Sequence, residues 1–236
     1  MKLCQKNKKV VILPYVFLIL LAICFVLPFL ALISTSFKTF EDAVTNMTSL
    51  IPKSFTFDNY KRAFTEQGIL LGLWNSVIIS VVSTVGTVLS ASLVAYAFAR
   101  FDVKEKEFIF SILMASTMIP GQVLQISMFA LYNDIGWMNT LLPFLIPPFL
   151  GGGIMNVFLM RQFMRSIPKA LFEAAEIDGA SEFRMYATIA MRISVPILIT
   201  VGIFTFTGAW NDFMGPLVYL NGAEGKKPLA LVMYQM

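Results

Sequence analysis

The sequence predicts an all-α polytopic membrane protein, and three observations predict it. Hydrophobic residues make up 57% of the 236-residue chain and charged residues 14%, with a mean hydropathy of +0.75. A water-soluble domain carries about 25% charged residues. Five apolar stretches, roughly 10–33, 69–99, 108–132, 140–160 and 193–218, are long enough to be spans of a single transmembrane domain. Third, the basic residues fall in alternate loops. Lys2, Lys6, Lys8 and Lys9 precede the first stretch, Arg100, Lys104 and Lys106 follow the second, and Arg161, Arg165, Lys169, Arg184 and Arg192 follow the fourth. The positive-inside rule then places the N-terminus and the 161–192 loop in the cytoplasm.

The first stretch, Val10 to Ile33, carries no charge and at 1.5 Å per residue reaches about 36 Å. That is too long for a signal-peptide core. Leu21-Ala22-Ile23-Cys24 faintly resembles a lipoprotein cleavage box, but Ile23 is too bulky and the apolar run continues. A retained helix is predicted. The second stretch carries Ser76, Ser80, Ser83, Thr87 and Ser90 along one seam, which suits close packing against neighbouring helices or the lining of a pathway. The third is broken at Pro120-Gly121, and the fourth holds Pro143, Pro147, Pro148 and Gly151-Gly152-Gly153. Such breaks free backbone groups that need partners inside the bundle or at a cavity; they fit plain kinks equally well. In the fifth, Asp212 follows Trp210-Asn211. It belongs either to the membrane interface or to a functional path. With Gln122, Gln125, Asn156 and Asn211 it forms the set of candidate path-lining residues.

Several function classes are excluded. The chain has no histidine, and its cysteines are Cys4 and Cys24, so a Ser-His-Asp triad is impossible and a zinc site is not expected. Gly222-Ala223-Glu224-Gly225-Lys226-Lys227 lacks the spacing and final hydroxyl of a phosphate loop. No catalytic residue, metal or cofactor is expected, and nucleic acid is not an expected partner. Active transport would draw its energy from another chain or from an ion gradient.

The 161–192 loop contains Glu173-Ala174-Ala175-Glu176-Ile177-Asp178-Gly179-Ala180-Ser181. Gly179 suits a positive-φ turn after one short helix, and Ser181 suits the cap of the next, where Phe183, Ala187 and Ala190 would share a face. Two short helices at a tight elbow make a docking knob, or simply an amphipathic linker.

This loop resembles the EAA loop of permease subunits in bacterial binding-protein-dependent ABC importers. The longer run Ser166-Ile167-Pro168-Lys169-Ala170-Leu171-Phe172 resembles the sugar-importing branch, and within it the smaller maltose-type permease. Leu27-Pro28-Phe29, Ser34-Thr35-Ser36-Phe37-Lys38, Phe57-Asp58-Asn59-Tyr60, Asn75-Ser76, Ala95-Tyr96-Ala97-Phe98-Ala99-Arg100, Met118-Ile119-Pro120-Gly121-Gln122 and Trp210-Asn211-Asp212-Phe213 resemble that subfamily's landmarks in order. The resemblance implies a type I ABC importer transmembrane domain and import of a sugar across the bacterial plasma membrane. It implies a second permease subunit, two ATP-binding subunits and an extracellular solute-binding protein as partners. It assigns ATPase coupling to Glu173, Ala174, Ala175, Asp178, Gly179, Ala180 and Ser181. Two departures stand out. Ile189-Ala190-Met191-Arg192 lacks the proline that the family carries there, and six spans are expected where five are counted, the sixth falling after Pro228-Leu229. The competing class is an ATP-independent membrane protein such as a secondary transporter, or a truncated, inactive permease. A secondary transporter would be expected to show inverted repeats and midplane charges.

Overall fold

The computed structural model describes residues 8–65 and 68–236. Lys2, Cys4 and Lys6, which entered the sequence reading, lie outside the described residues. The chain divides into two compact units, Met1–Gln67 and Gly68–Met236.

The first unit begins with helix α1 (Lys8–Ser36), which carries Pro14 and Pro28 within it. From Pro14 to Leu30 its side chains are exposed, as suits a helix whose solvent is hydrocarbon. After it the chain folds into a small knot with α2 (Phe40–Thr45) and α3 (Asp58–Thr65). Lys38 is buried, and its ammonium donates to the carbonyls of Asn46 (2.8 Å) and Ser49 (2.7 Å). Asn59 donates to the carbonyls of Ser36 and Lys38 at 3.0 and 2.7 Å. Phe37 stacks on Phe55 at 4.8 Å, with Phe57 edge-on to both. Asp42 closes the knot by accepting from the Lys53 backbone N–H and from the Asn46 amide, both at 2.9 Å.

The second unit is built around α4 (Ile69–Arg100), a 32-residue helix. The predicted small-residue seam is its packed face. Ser76, Ser80, Ser83 and Thr87 are buried, and Ser90 is half-buried. The third predicted stretch is interrupted at Pro120-Gly121 as its sequence suggests: α5 (Lys106–Ser116) and α6 (Gly121–Asp134) meet at 92° across the break at 117–120. The fourth is α7 (Leu142–Leu145), a 3₁₀ turn at Pro147–Phe149, three glycines at positive φ, and α8 (Ile154–Met164).

Proline explains how this broken segment meets α4. The Phe144 carbonyl would accept from residue 148 in an unbroken helix, but Pro148 has no N–H. Ser83 donates to that carbonyl instead, at 2.9 Å, and Ser90 donates to the Pro148 carbonyl at 2.7 Å. Gly152 sits so close that a Cβ there would lie 2.6 Å from the Thr87 carbonyl.

Helix α8 runs to Met164, past the boundary of 161 expected from sequence. After α9 (Lys169–Ile177), α10 (Glu182–Met185), a π turn at Tyr186–Ala190 and α11 (Met191–Ile193), the chain bends 78° at Ser194. It enters α12 (Val195–Asn211), which packs along α4 and stops at Asp212 before α13 (Met214–Tyr219). Finally α14 (Leu229–Gln235) packs on the start of α4, where Gly72 admits Val232 and Ser76 accepts from the Leu229 N–H at 2.8 Å. Among the described residues, three stretches are long and apolar enough to cross a membrane, or up to five if each bent pair is one span.

Two outcomes are expected. Gly152→Ala combines a φ of +65° with a backbone clash, and should cost more than about 2 kcal/mol. Gly208→Ala, in open space on α12, should cost nothing; thermal unfolding in detergent compares them. For Asp42, the Lys53 N–H, then the Asn46 amide and Lys38 ammonium, hold the carboxyl below 3.8 against the opposing effect of burial. Its contribution is therefore present above that ordinary value and lost as pH falls through the depressed one. Pepsin cleavage within 37–65, normalised at each pH to an unfolded substrate, should rise over that acid window, and Asp42→Asn should flatten the rise.

Candidate functional site

The polar loop between α8 and α12 forms the elbow that its sequence suggests, and the backbone shows why. Gly179 has φ +75°. Its N–H donates to the Glu176 carbonyl and the Ala180 N–H to the Ala175 carbonyl, both at 2.9 Å. These crossed bonds are a Schellman motif, which ends α9 and satisfies its last carbonyls. Ser181 then accepts from the Arg184 N–H at 3.3 Å, capping α10.

Most of the predicted coupling residues face outward. Glu173, Ala174, Asp178, Gly179 and Ser181 are exposed, and Ala175 and Ala180 are half-buried. Beside them Ile177 is 87% exposed and Phe183 73% exposed. The outward face is thus an acid-rimmed apolar knob. This corrects part of one expectation: of Phe183, Ala187 and Ala190, expected on one face, only Phe183 and Ala187 lie on the same, exposed side. Phe183 and Ala187 are exposed, while Met185, Tyr186 and Ala190 are buried. The π turn explains the difference, because its wider turn rotates the following residues out of i, i+4 register.

The inner side of the loop is strapped to the end of α4. Arg100 forms an ion pair with Glu176 and lies 3.6 Å from Glu182. Tyr96, one turn earlier, donates its hydroxyl to Glu182 at 2.7 Å. One further turn back, the Ser92 and Tyr186 hydroxyls share a buried hydrogen bond of 2.7 Å. Phe172 lies buried beneath, with the Arg100 guanidinium 5.2 Å above its ring. Ser92, Tyr96 and Arg100 stand four residues apart, so one stripe of α4 makes every polar link. Sequence reasoning missed this strap. Its one signal was the Tyr96–Arg100 pair at the end of a span.

A second difference concerns Arg161, one of the basic residues placed in the loop after the fourth stretch. It is 3% exposed, paired with Glu107, and its guanidinium lies 4.1 Å from the centre of the Phe110 ring. A charge leaves water only when so partnered.

The candidate path residues are not brought together by hydrogen bonds among the described residues. Asn156 donates to the Gly152 carbonyl at 2.8 Å and Asn211 to the Thr207 carbonyl at 2.9 Å, each one turn back. Asp212 accepts from the Gly215 N–H at 3.1 Å, holding the corner between α12 and α13. Gln122 is exposed and Gln125 half-buried. Among the described residues no His, Cys, Asp or Glu cluster could hold a metal.

Residues 90–235 match the family described as binding-protein-dependent transport system inner membrane component. The chain is 35% identical over 204 residues to the galactooligosaccharides transport system permease protein GanQ of Bacillus subtilis, covering 85% of this chain and 71% of that one. It is 34% identical over 203 residues to the arabinooligosaccharides transport system permease protein AraQ of Halalkalibacterium halodurans (84% and 72%). It is 29% identical over 237 residues to the polygalacturonan/rhamnogalacturonan transport system permease protein YtcP of B. subtilis (98% and 79%). Among solved structures, a bacterial ABC transporter involved in the import of the acidic polysaccharide alginate matches with a TM-score of 0.82 at 21% identity. That match covers 100% of this chain and 82% of the other, and shows a shared fold.

The strap predicts a measurable coupling. In a double-mutant cycle on thermal stability, Arg100→Gln and Glu182→Gln should be non-additive by about 1 kcal/mol, an ion-pair value discounted for partial exposure. Additive effects would mean that the contact carries no energy.

Proposed function

The chain belongs to the binding-protein-dependent transport system inner membrane components, and we propose that it imports an oligosaccharide as one of two permease subunits around a shared pathway. It is a membrane-embedded transport subunit of an ABC transporter, not an enzyme, and the family works with an ATPase and a solute-binding protein. The oligosaccharide reading is supported by the substrates named for the GanQ and AraQ relatives. In the proposed assembly two ATP-binding subunits sit below the permease pair and an extracellular solute-binding protein docks above it. The charge distribution supports a cytoplasmic N-terminus and a cytoplasmic 161–192 loop.

The observation that carries the coupling reading is the elbow's two-sidedness. Its outer side offers Glu173, Ala174, Asp178, Ile177 and Phe183. Its inner side is tied to α4 through Tyr96 and Arg100. An ATPase groove that takes up the apolar knob, with cations against the acids, pulls on a helix rather than on a slack loop. Gly179 keeps α9 and α10 at their angle, and Ala175 and Ala180 keep the elbow slim. Gln122, Gln125, Asn156, Asn211 and Asp212 remain proposed as path-lining groups. Gln122 and Gln125 make no side-chain hydrogen bond among the described residues, so their amides are uncommitted and free to meet sugar hydroxyls.

The test is uptake of labelled oligosaccharide by cells expressing the whole transporter. Gly179→Val and Ile177→Asp should each reduce uptake by more than about tenfold while the chain stays in the membrane, since a strained turn or a charge in an apolar contact costs over 1.4 kcal/mol. Normal uptake with both variants would contradict coupling through this elbow. Uptake of none of a panel of galacto- and arabino-oligosaccharides by the unaltered transporter would contradict the substrate class.

A further inference from the structure

We propose that the cavity between the ends of α4 and α8 and the start of α9 binds a phosphate ester, seated as the headgroup of an anionic phospholipid. The cavity measures about 220 Å³ and is lined by Arg100, Lys106, Arg165 and Lys169 with a single carboxylate, Asp102. At about 30 Å³ per water it has room for several waters, enough for a phosphate group and the glycerol carbons beside it.

The charges are only partly answered from within. Asp102 pairs with Lys106 at 2.7 Å, and Glu176 and Glu182 neighbour Arg100. Glu107 is committed to buried Arg161 and stands 3.9 Å from Arg165. Lys169 makes no direct ion pair or hydrogen bond among the described residues, though its charge, after that of Lys106, also acts on Asp102. Arg100 also holds a buried Nε with no hydrogen-bond partner, which is costly to leave unmet. Helix α9 opens at Pro168 without a side-chain cap, so its positive dipole end is available to an anion.

The rest of the lining selects the source of the phosphate. Met164, Ile167 and Phe172 give the cavity an apolar wall, which a free phosphate ion would not use. Arg100 ends the long apolar helix α4, and Arg165 directly follows α8. The cations therefore stand where hydrocarbon gives way to headgroups, the level at which basic pockets between helices capture anionic lipids. This inference does not depend on the identity of the transported substrate, although the cavity shares Arg100, Tyr96 and Phe172 with the strap behind the elbow.

Native mass spectrometry of the complete transporter, extracted from nanodiscs of phosphatidylglycerol mixed with phosphatidylethanolamine, tests it. Retained phosphatidylglycerol is expected, with an affinity roughly thirtyfold lower in Arg165→Ala/Lys169→Ala. The charge-keeping Arg165→Lys/Lys169→Arg should recover most of the binding, which separates a lost site from a misfolded chain. A delipidated complex is then titrated with inorganic phosphate and followed by thermal unfolding. Stabilisation there without lipid retention, lost in the alanine variant, would assign the site to free phosphate and overturn the lipid source while keeping the phosphate chemistry. Equal retention of both lipids, or unchanged retention in the alanine variant, would overturn the proposal.

Discussion

Backbone carbonyls freed inside an apolar medium must find donors, and in the second unit that requirement is met from one face of α4. Hydrocarbon supplies no water to repair a broken helix. Pro148 and the glycines at 151–153 nevertheless interrupt the segment from Leu142 to Met164. Ser83 and Ser90 donate to the Phe144 and Pro148 carbonyls, so the break is affordable only where α4 lies alongside. The same face holds the loop before α14 through Asn75, which donates to the Gly225 and Lys227 carbonyls, and the start of α14 through Ser76, and it packs α12 and α8. Small residues let these backbones approach, and their hydroxyls satisfy what the approach exposes.

The seam also determines how a force at the elbow would travel. Past Ser90 the helix presents Ser92, Tyr96 and Arg100, which bind Tyr186, Glu182 and Glu176. Elbow and broken segment are thus attached to one rigid rod at different heights. The bend at Ser194 and the corner at Asp212 allow α12 to change direction without leaving α4. A movement of the elbow then reaches the broken segment through α4 rather than through the connecting chain.

Much of this was legible in the sequence. The 4-3 spacing of small polar residues on the second span marked its packed face, because helical periodicity alone places them together. Pro120-Gly121 and the glycine triplet marked the breaks, and Gly179 with Ser181 marked the elbow, because each depends on local backbone preference. What escaped depended on distant partners. The π turn at Tyr186–Ala190 places Tyr186 against Ser92, 94 positions away, and no local pattern announces that register shift. Arg161 looked like a loop cation because Glu107 and Phe110, which let it be buried, come from another helix. The Asn156 and Asn211 amides looked free, yet each is used by its own helix backbone.

The most direct test of α4 and the elbow acting as one body is a distance between spin labels at Ala170 on α9 and Leu89 on α4, both exposed positions outside the coupling face. Pulsed electron paramagnetic resonance on the complete transporter would compare nucleotide-free and ATP-bound states. A single narrow distance, unchanged between the two states, is the predicted result. A distance that shifts or splits when ATP binds would show the elbow moving independently of α4, and would contradict transmission through the Tyr96–Arg100 strap.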